Sequence, residues 1–251
     1  MNILTDLRIA AVGDIHLGED VRGRYRKKLD GIEDRADVFM LAGDLTRHGT
    51  LEEGRLVADE LRGLPIPTVA VLGNHDYHSD LQDEIAAELR DAGVIVLDDE
   101  GVVIQCGDKK LGVVGGKGFG GGFAGKCASE FGEREIKDFV SHTRQIAERW
   151  KVALKEIVAD ERVVLSHYSP TKETLEGEPH EIYPFLGSYL LAEAVDTAGA
   201  DLILHGHAHK GSEKGMTPGG IRVRNVALPV LNRAYAVYCL ECENGFGAEG
   251  G

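Results

Sequence analysis

Asp14, His16, Asp44, Asn74, His75, His167, His207 and His209 are the residues of this chain whose types and spacing can do chemistry. They sit in five short motifs: Asp14-Ile15-His16, Gly43-Asp44, Gly73-Asn74-His75-Asp76, Ser166-His167 and Gly206-His207-Ala208-His209. Each motif lies at or just past the end of an apolar, strand-like run. Carboxylate, amide and imidazole donors suit Mn, Fe, Zn or Ni better than softer, thiol-seeking ions. The set is sufficient for a pair of divalent ions sharing one carboxylate. Two such ions roughly 3.5–4 Å apart clamp an in-line displacement at phosphorus. In an extended Asp-x-His segment, alternate side chains face the same way, so Asp14 and His16 can reach one ion, and the same geometry lets His207 and His209 project together. Asp-x-His or Gly-Asp alone is commonplace, and a strand-end histidine is usually only hydrogen-bonded, while Gly-Asn-His-Asp alone is moderately specific. Five in order, each after a strand, are specific.

The elements that must carry these residues are short. Arg8–Val12, Val38–Leu41, Thr68–Leu72, Val94–Leu97, Val102–Gln105 and Lys110–Val114 read as strands, being brief Val- and Ile-rich runs ended by Gly, Asp, Asn or Ser. Val163–Leu165, Asp201–Leu204, Ile221–Val226 and Ala234–Leu240 read the same way. Leu81, Ile85 and Leu89 repeat every four residues, Leu190, Leu191, Ala194 and Val195 mark another helix, and Ile136, Phe139, Val140, Ile146, Trp150, Leu154 and Ile157 predict a long amphipathic one. Strand and helix alternate through the first half, as parallel crossovers require, while the strands near 94–114 and 221–240 follow one another as hairpins do. The expected class is α/β, with two mixed sheets covered by helices. Ligands gather beyond the carboxyl ends of such strands, and the glycines at 13, 43, 73 and 206 permit tight turns there.

Bulk properties exclude several alternatives. At 251 residues the chain fits one large domain, expected over 1–243, with a flexible Gly-rich tail at 244–251. The N-terminal stretch carries Asp6 and Arg8 within its apolar run and does not read as a signal peptide. No run approaches the roughly 18 apolar residues that cross a bilayer, so the expected compartment is the cytoplasm, with no membrane partner. A net charge of −14, from 42 acidic against 28 basic residues, disfavours nucleic acid unless a basic patch overrides it. The one basic run, Arg22 to Lys28, reads as a solvated helix face. Cys239 and Cys242 form a lone CxxC without a second pair, which does not make a structural zinc site.

Taken together, the five motifs resemble the calcineurin-like metallophosphoesterase superfamily, whose pattern is D-x-H, GD, GNH, H and GHxH. The resemblance covers roughly residues 8–228, and every motif position is matched. It implies a four-layer α/β/β/α sandwich of two mixed sheets flanked by helices. It implies one metal held by Asp14, His16 and His209, a second held by Asn74, His167 and His207, and Asp44 bridging both. His75 would be the acid that protonates the leaving group, oriented by Asp76 or a backbone carbonyl. The implied activity is hydrolysis of a phosphomonoester or phosphodiester by a water deprotonated between the ions, on a small phosphorylated substrate such as a nucleotide. The alternatives are a nuclease, which should show a basic groove, and a non-catalytic scaffold relative, against which the complete ligand set argues.

Other residues are candidates for substrate contact: His78 and Lys117, with His205 next to the last motif and His48 on the Asp44 loop. His142 and His180 read as unrelated to metal. Gly120 to Cys127 nearly spells a phosphate-binding loop, but Cys127 replaces the hydroxyl that would meet Mg²⁺. Gly115–Lys126 is expected instead as a mobile rim loop bringing Lys117, Phe119 or Phe123 near substrate, and Tyr168–Phe185 as a lid, an oligomer contact or a plain surface loop.

Overall fold

In the computed structural model, residues 6–240 are described; the tail at 244–251 and Cys242 lie outside them. The first sheet is built from β1 (Leu7–Val12), β2 (Val38–Ala42), β3 (Thr68–Val71), β4 (Ile95–Val96) and a late strand, β13 (Ala236–Leu240), in the order β13-β1-β2-β3-β4. β1 to β4 are parallel, and β13 runs antiparallel along β1. Every residue of β2 and β3 is buried, because a parallel strand covered on both faces must be apolar on both.

The second sheet has the order β11-β12-β10-β9-β6-β5, from β5 (Glu100–Cys106), β6 (Lys109–Gly116), β9 (Glu161–Ser166), β10 (Leu202–His205), β11 (Lys214–Met216) and β12 (Arg222–Asn225). β7 (Gly122–Phe123) and β8 (Lys126–Cys127) form a separate small hairpin. Side-chain alternation sorts the second sheet's core. Leu111, Val113, Val163, Leu165, Leu202 and Leu204 point into the main core with the first sheet. Val114, Val164 and Ile203 point the other way, onto Trp150, Leu154, Leu191 and Val195. Those partners belong to α3 (Arg134–Glu156) and α5 (Tyr189–Ala198), which pack on each other. α1 (Leu51–Leu61) and α2 (Gln82–Asp91) pack together beside the first sheet, and two one-turn helices, α4 (Tyr183–Leu186) and α6 (Leu228–Leu231), complete the chain. The layers therefore run α/β/β/α, as the sequence implied.

Several local expectations are corrected. β5 and β6 form the expected hairpin, but β4 is in the other sheet. β12 and β13 do not pair either. α6 separates them, ending at Asn232 in the left-handed region (φ 52°), and β13 leaves to pair with β1. Helix α1 opens on Thr50-x-x-Glu53, where Thr50 Oγ1 accepts from Glu53 N at 3.3 Å. Ile136 lies in the first turn of α3 but is 42% exposed, so the helix buries its apolar stripe only from Val140 onward. The basic run at 22–28 is a turn leading into one short 3-10 helix, Arg26–Leu29, rather than a longer helix face, and it leans on α1: Arg22 pairs with Asp59 at 3.6 Å and Arg26 donates to the Arg62 carbonyl at 2.9 Å. Among the described residues, no helix is long and apolar enough to cross a membrane.

Candidate metal centre

All five motifs fall just past the carboxyl ends of parallel strands: Asp14 after β1, Asp44 after β2, Asn74 after β3, His167 after β9 and His207 after β10. Backbone hydrogen bonds stitch these ends together. Asp14 N donates to Gly43 O at 2.9 Å, His16 N to Asp44 O at 3.1 Å, and Gly206 N to His167 O at 3.2 Å. The sheets are joined at the same place, where His167 Nδ1 donates to Ala42 O at 2.9 Å. That bond fixes the tautomer and leaves Nε2 as the free donor atom.

Two groups of ligand atoms result. In the first, Asp14, His16, Asp44 and His209 each present an atom within 4.8 Å of the others; in the second, Asp44, His167 and His207 do. Asp44 belongs to both. Asn74 joins the second, its Oδ1 lying 2.9 Å from His167 Nε2, which is itself 3.3 Å from Asp44 Oδ1. His207 Nε2 donates to Phe185 O at 3.1 Å, turning its other nitrogen inward.

Local backbone strain is concentrated here. Of the seven non-glycine residues with positive φ among the described residues, four are Asp14 (56°), His16 (42°), Asp44 (51°) and His207 (71°). Such conformations cost about 1–3 kcal/mol each and persist where the surroundings enforce them. The glycines before the ligands serve two different needs. Gly43 adopts φ 80°, and a Cβ there would lie 2.7 Å from His167 Nδ1. Gly73 is needed for close approach, since its Cβ would overlap Asp44 Oδ1.

The donor set fits divalent metal ions. His16 Nε2 is buried with no hydrogen-bond partner among the described residues, as a nitrogen reserved for a metal would be. Burial lowers the pKa of His16 and His167, and brings His207 down to about 3, so these imidazoles are neutral, the form a metal requires. Asp14 and Asp44 are 2% and 1% exposed, and no Lys or Arg forms an ion pair with either among the described residues. Burial pushes Asp14 up to about 6, with Asp44 adding to the rise and the His209 hydrogen bond at 2.8 Å opposing it. A cation between the two carboxylates would remove that penalty.

His75 stands at the rim. Its backbone N–H donates to Asp44 Oδ1 at 2.8 Å, its Nδ1 to Arg47 O at 2.8 Å, and its Nε2 faces Asp44 Oδ2 at 4.0 Å. The group that orients it is therefore the carbonyl, not Asp76. Asp76 is fully buried and accepts from Leu45 N, Thr46 N, Thr46 Oγ1 and Gly73 N, tying the Asp44 loop to the Asn74 loop.

The remaining expectations divide. Lys117 lies beside Tyr77 and Tyr168, close enough to the centre for Asp44 to act on its charge. His78 is exposed on the turn after Tyr77 and lies outside both donor groups. His205 is corrected: it is fully buried, with Nδ1 on Gly206 O at 2.7 Å and Nε2 against Thr174 Oγ1 at 2.8 Å, so it cannot meet substrate. His48 is held by Glu53 at 3.1 Å. The glycine-rich loop does not cradle phosphate, because Gly121 N and Gly122 N donate to Pro184 O and Gly187 O. Phe123 is buried with Leu175, Tyr183 and Leu186 rather than at the rim, and Tyr168–Phe185 is pinned by the same cluster. His142, although no ligand, meets the Phe119 ring edge-on at 4.8 Å.

Residues 7–211 match the model of the calcineurin-like phosphoesterases, and the chain belongs to this family of dinuclear metal-dependent phosphoesterases. Among solved structures it is similar to the phosphopantetheinyl hydrolase of Mycobacterium tuberculosis, at 13% identity and a TM-score of 0.69, covering 97% of this chain and 99% of that one. It is similar also to the protein TT1561 of Thermus thermophilus (15% identity, TM-score 0.57, 94% and 99% covered). The third is the purple acid phosphatase PPD1 of yellow lupin seeds (12% identity, TM-score 0.51, 96% and 46% covered). At these identities the likeness is one of fold. Comparison with curated protein sequences finds no match.

Proposed function

We propose that this protein hydrolyses small phosphoesters, monoesters or diesters such as nucleotides, with two divalent ions drawn from Mn, Fe, Zn and Ni. The observation that carries this is the sharing of Asp44 by two donor groups, one completed by Asp14, His16 and His209, the other by Asn74, His167 and His207. Ions held there would supply Lewis acidity, activating water and offsetting charge on the phosphoryl oxygens. The chain's own part is to hold the donors in place. Asp76 fixes the spacing of Asp44 and Asn74, Ala42 O and Phe185 O set the faces of His167 and His207, and burial keeps those rings neutral. His75 donates its Nε2 proton to the leaving alkoxide, Nδ1 being anchored on Arg47 O. Lys117 supports binding of the substrate on the Tyr77 side.

The domain is assigned to residues 1–243 and the compartment to the cytoplasm, the latter supported by free thiols at Cys106 and Cys127. The test is metal reconstitution followed by turnover of p-nitrophenyl and bis-p-nitrophenyl phosphate. Two ions bound per chain and metal-dependent release of nitrophenol are expected. Failure to take up metal would overturn the assignment.

A further inference from the structure

Arg47 lies on the loop after β2, three residues past Asp44, and its carbonyl is the group that holds His75 Nδ1 at 2.8 Å. Its side chain leaves that loop for the one after β1. Leu17 N donates to Leu45 O at 2.9 Å, which sets the two loops side by side. The guanidinium lies against Gly18, where a Cβ would come within 3.0 Å of its carbon. Gly18 is two residues past the donor His16, whose ring meets that of His75 edge-on at 4.5 Å. The cation therefore stands on the His75 and His16 side of the donor groups. Its polar partner is Asp20 Oδ1 at 3.1 Å, from the turn Glu19–Val21, and among the described residues the guanidinium has no other. The side chains of Arg47, Asp20 and His75 are 43%, 63% and 45% exposed, so all three are reachable from solvent. An ion pair so exposed adds little to stability, and one carboxylate leaves most of the five guanidinium N–H donors unused.

We propose that Arg47 is a specificity-determining residue that binds a phosphate carried by the leaving group, so that the preferred substrates are diphosphates cleaved at the P–O–P bridge. The inference rests on the phosphoesterase reading above and deepens it. His75 serves the leaving group in that reading, and Arg47 is the cation on that side. A guanidinium fork matches two phosphate oxygens at once, a geometry that lysine lacks. Charge points the same way. Asp14 and Asp44 are the carboxylates of the donor groups, so the centre with its ions would offset one phosphate dianion, and a second phosphate needs a cation from the chain. Asp20 holds Arg47 until that phosphate displaces it. In the step itself, the oxygen of water bonds to the attacked phosphorus and the bond to the bridging oxygen breaks. Its electron pair leaves on the second phosphate, where Arg47 offsets the charge, and the protons of the water pass to the product phosphates or to solvent. A leaving alcohol without an anion gains nothing from Arg47.

The test compares kcat/KM for ADP and for the p-nitrophenyl ester of AMP in the wild type and in Arg47→Gln, Arg47→Lys and Asp20→Asn. Phosphate and nitrophenolate both depart readily as anions, so any disturbance of His75 cancels in the ratio of the two substrates within each protein. The ratio is expected to fall about tenfold or more in Arg47→Gln, the scale of a charge-assisted hydrogen bond. It should fall by less in Arg47→Lys, which keeps the charge but not the fork. Asp20→Asn removes the competitor and should leave the ratio at or above wild type, by up to about fivefold. Binding of α,β-methylene-ADP and of AMP to the metal-loaded proteins, measured by calorimetry, reads the same contact without turnover: Arg47→Gln should weaken the first by a similar factor and the second little. Metal content and thermal midpoint, measured alongside, show that each variant is folded and loaded. A second pair, 2-phosphoglycolate against ethyl phosphate, is the arm for a carboxylate; loss in Arg47→Gln on that pair and not on ADP would overturn the diphosphate. An Arg47→Gln ratio within twofold of wild type, a lowered ratio in Asp20→Asn, or a wild type that cleaves the nitrophenyl ester but not ADP would overturn it as well, with the phosphoesterase reading intact. A wild type that binds two ions yet cleaves no phosphoester would instead bring down the phosphoesterase reading, and the role of Arg47 with it.

Discussion

Replacing Gly73 with alanine tests whether the metal centre depends on close packing of backbone against ligand. The added Cβ would overlap both Asp44 Oδ1 and Asp44 N. The backbone nitrogen cannot swing aside as a side-chain tip can, so either the Asn74 loop or the Asp44 loop must retreat. Restoring ordinary contact takes a shift of roughly 1 Å, and a misplacement of that size in a reacting geometry costs about 10²-fold in rate. Asp44 is the carboxylate common to both donor groups, and Oδ1 also accepts from His75 N at 2.8 Å and faces His167 Nε2 at 3.3 Å. Both metal positions and the proton donor should therefore suffer at once. The fold should lose less, about 1–3 kcal/mol for overpacking, or roughly 2–12 °C of melting temperature for a chain of this size. Gly13→Ala is the matched comparison, because its Cβ would meet Ala42 at 3.1 Å, a contact that a few tenths of an ångström relieve. Metal content by elemental analysis, turnover of bis-p-nitrophenyl phosphate and the melting temperature are measured on both. Gly73→Ala with two ions and wild-type turnover, or Gly13→Ala as damaged as Gly73→Ala, would refute the reasoning.

Other perturbations separate the roles of neighbouring groups. His75→Ala should retain both ions yet lose roughly 10²–10⁴-fold in turnover of alkyl phosphoesters and far less with nitrophenyl esters, whose leaving group needs no proton; equal losses on both would rule out a proton donor. Asp44→Ala should lose metal and activity toward every substrate, and retention of two ions would show that the donor groups do not share it. Away from the site, burial acts to raise Asp37, but hydrogen bonds from the Arg8 guanidinium and backbone N–H, with the Arg8 charge, outweigh it and hold its pKa below the ordinary value. A carboxyl whose folded pKa lies below its unfolded one stabilises above about pH 4 and loses that contribution as pH falls through the folded value. Asp37→Asn should accordingly melt about 2–4 °C lower at pH 7, for about 1 kcal/mol in a pair a third exposed, and the gap should close in acid; a gap that widened there would reverse the sign.

The convergence of the candidate donors was legible in the sequence because they are tied to strand ends, and parallel strands bring their carboxyl ends together whatever the loops do between them. What each ligand touches was not legible, and the failures have a common cause. Strand alternation would have put His205 on the same face as His207, but β10 stops at His205 and His207 takes φ 71°, so the two-residue period no longer applies between them. Asp76 follows His75 and was a natural candidate to orient it. The turn closed by Asp76 N on Gly73 O instead sends the carboxylate inward, to donors on the Asp44 loop, and leaves Arg47 O to hold the imidazole. Similarly, α1 was hidden by Gly54, a weak helix residue that is kept because a Cβ there would press on Ile85 of α2 at 2.9 Å.

Lys117 shows the limit from the other side. Its place after a strand suggested a rim residue, yet the rings around it come from the turn after β3, its own loop and the end of β9. No spacing in one chain encodes that three loops, far apart in sequence, will close on one ammonium. They meet because β3, β6 and β9 lie side by side across the two sheets, with β9 packed on β3 and paired with β6. The pairing of β6 with β9 in parallel, Gly116 opposite Ser166, sets Lys117 beside His167 and lets its carbonyl accept from both His167 N and Tyr168 N. The register that aims a metal ligand therefore also aims the lysine. A one-residue slip of β6 would move Lys117 and leave His167 without its backbone anchor. Lys117 and the candidate metal donor His167 are thus positioned by the same ladder.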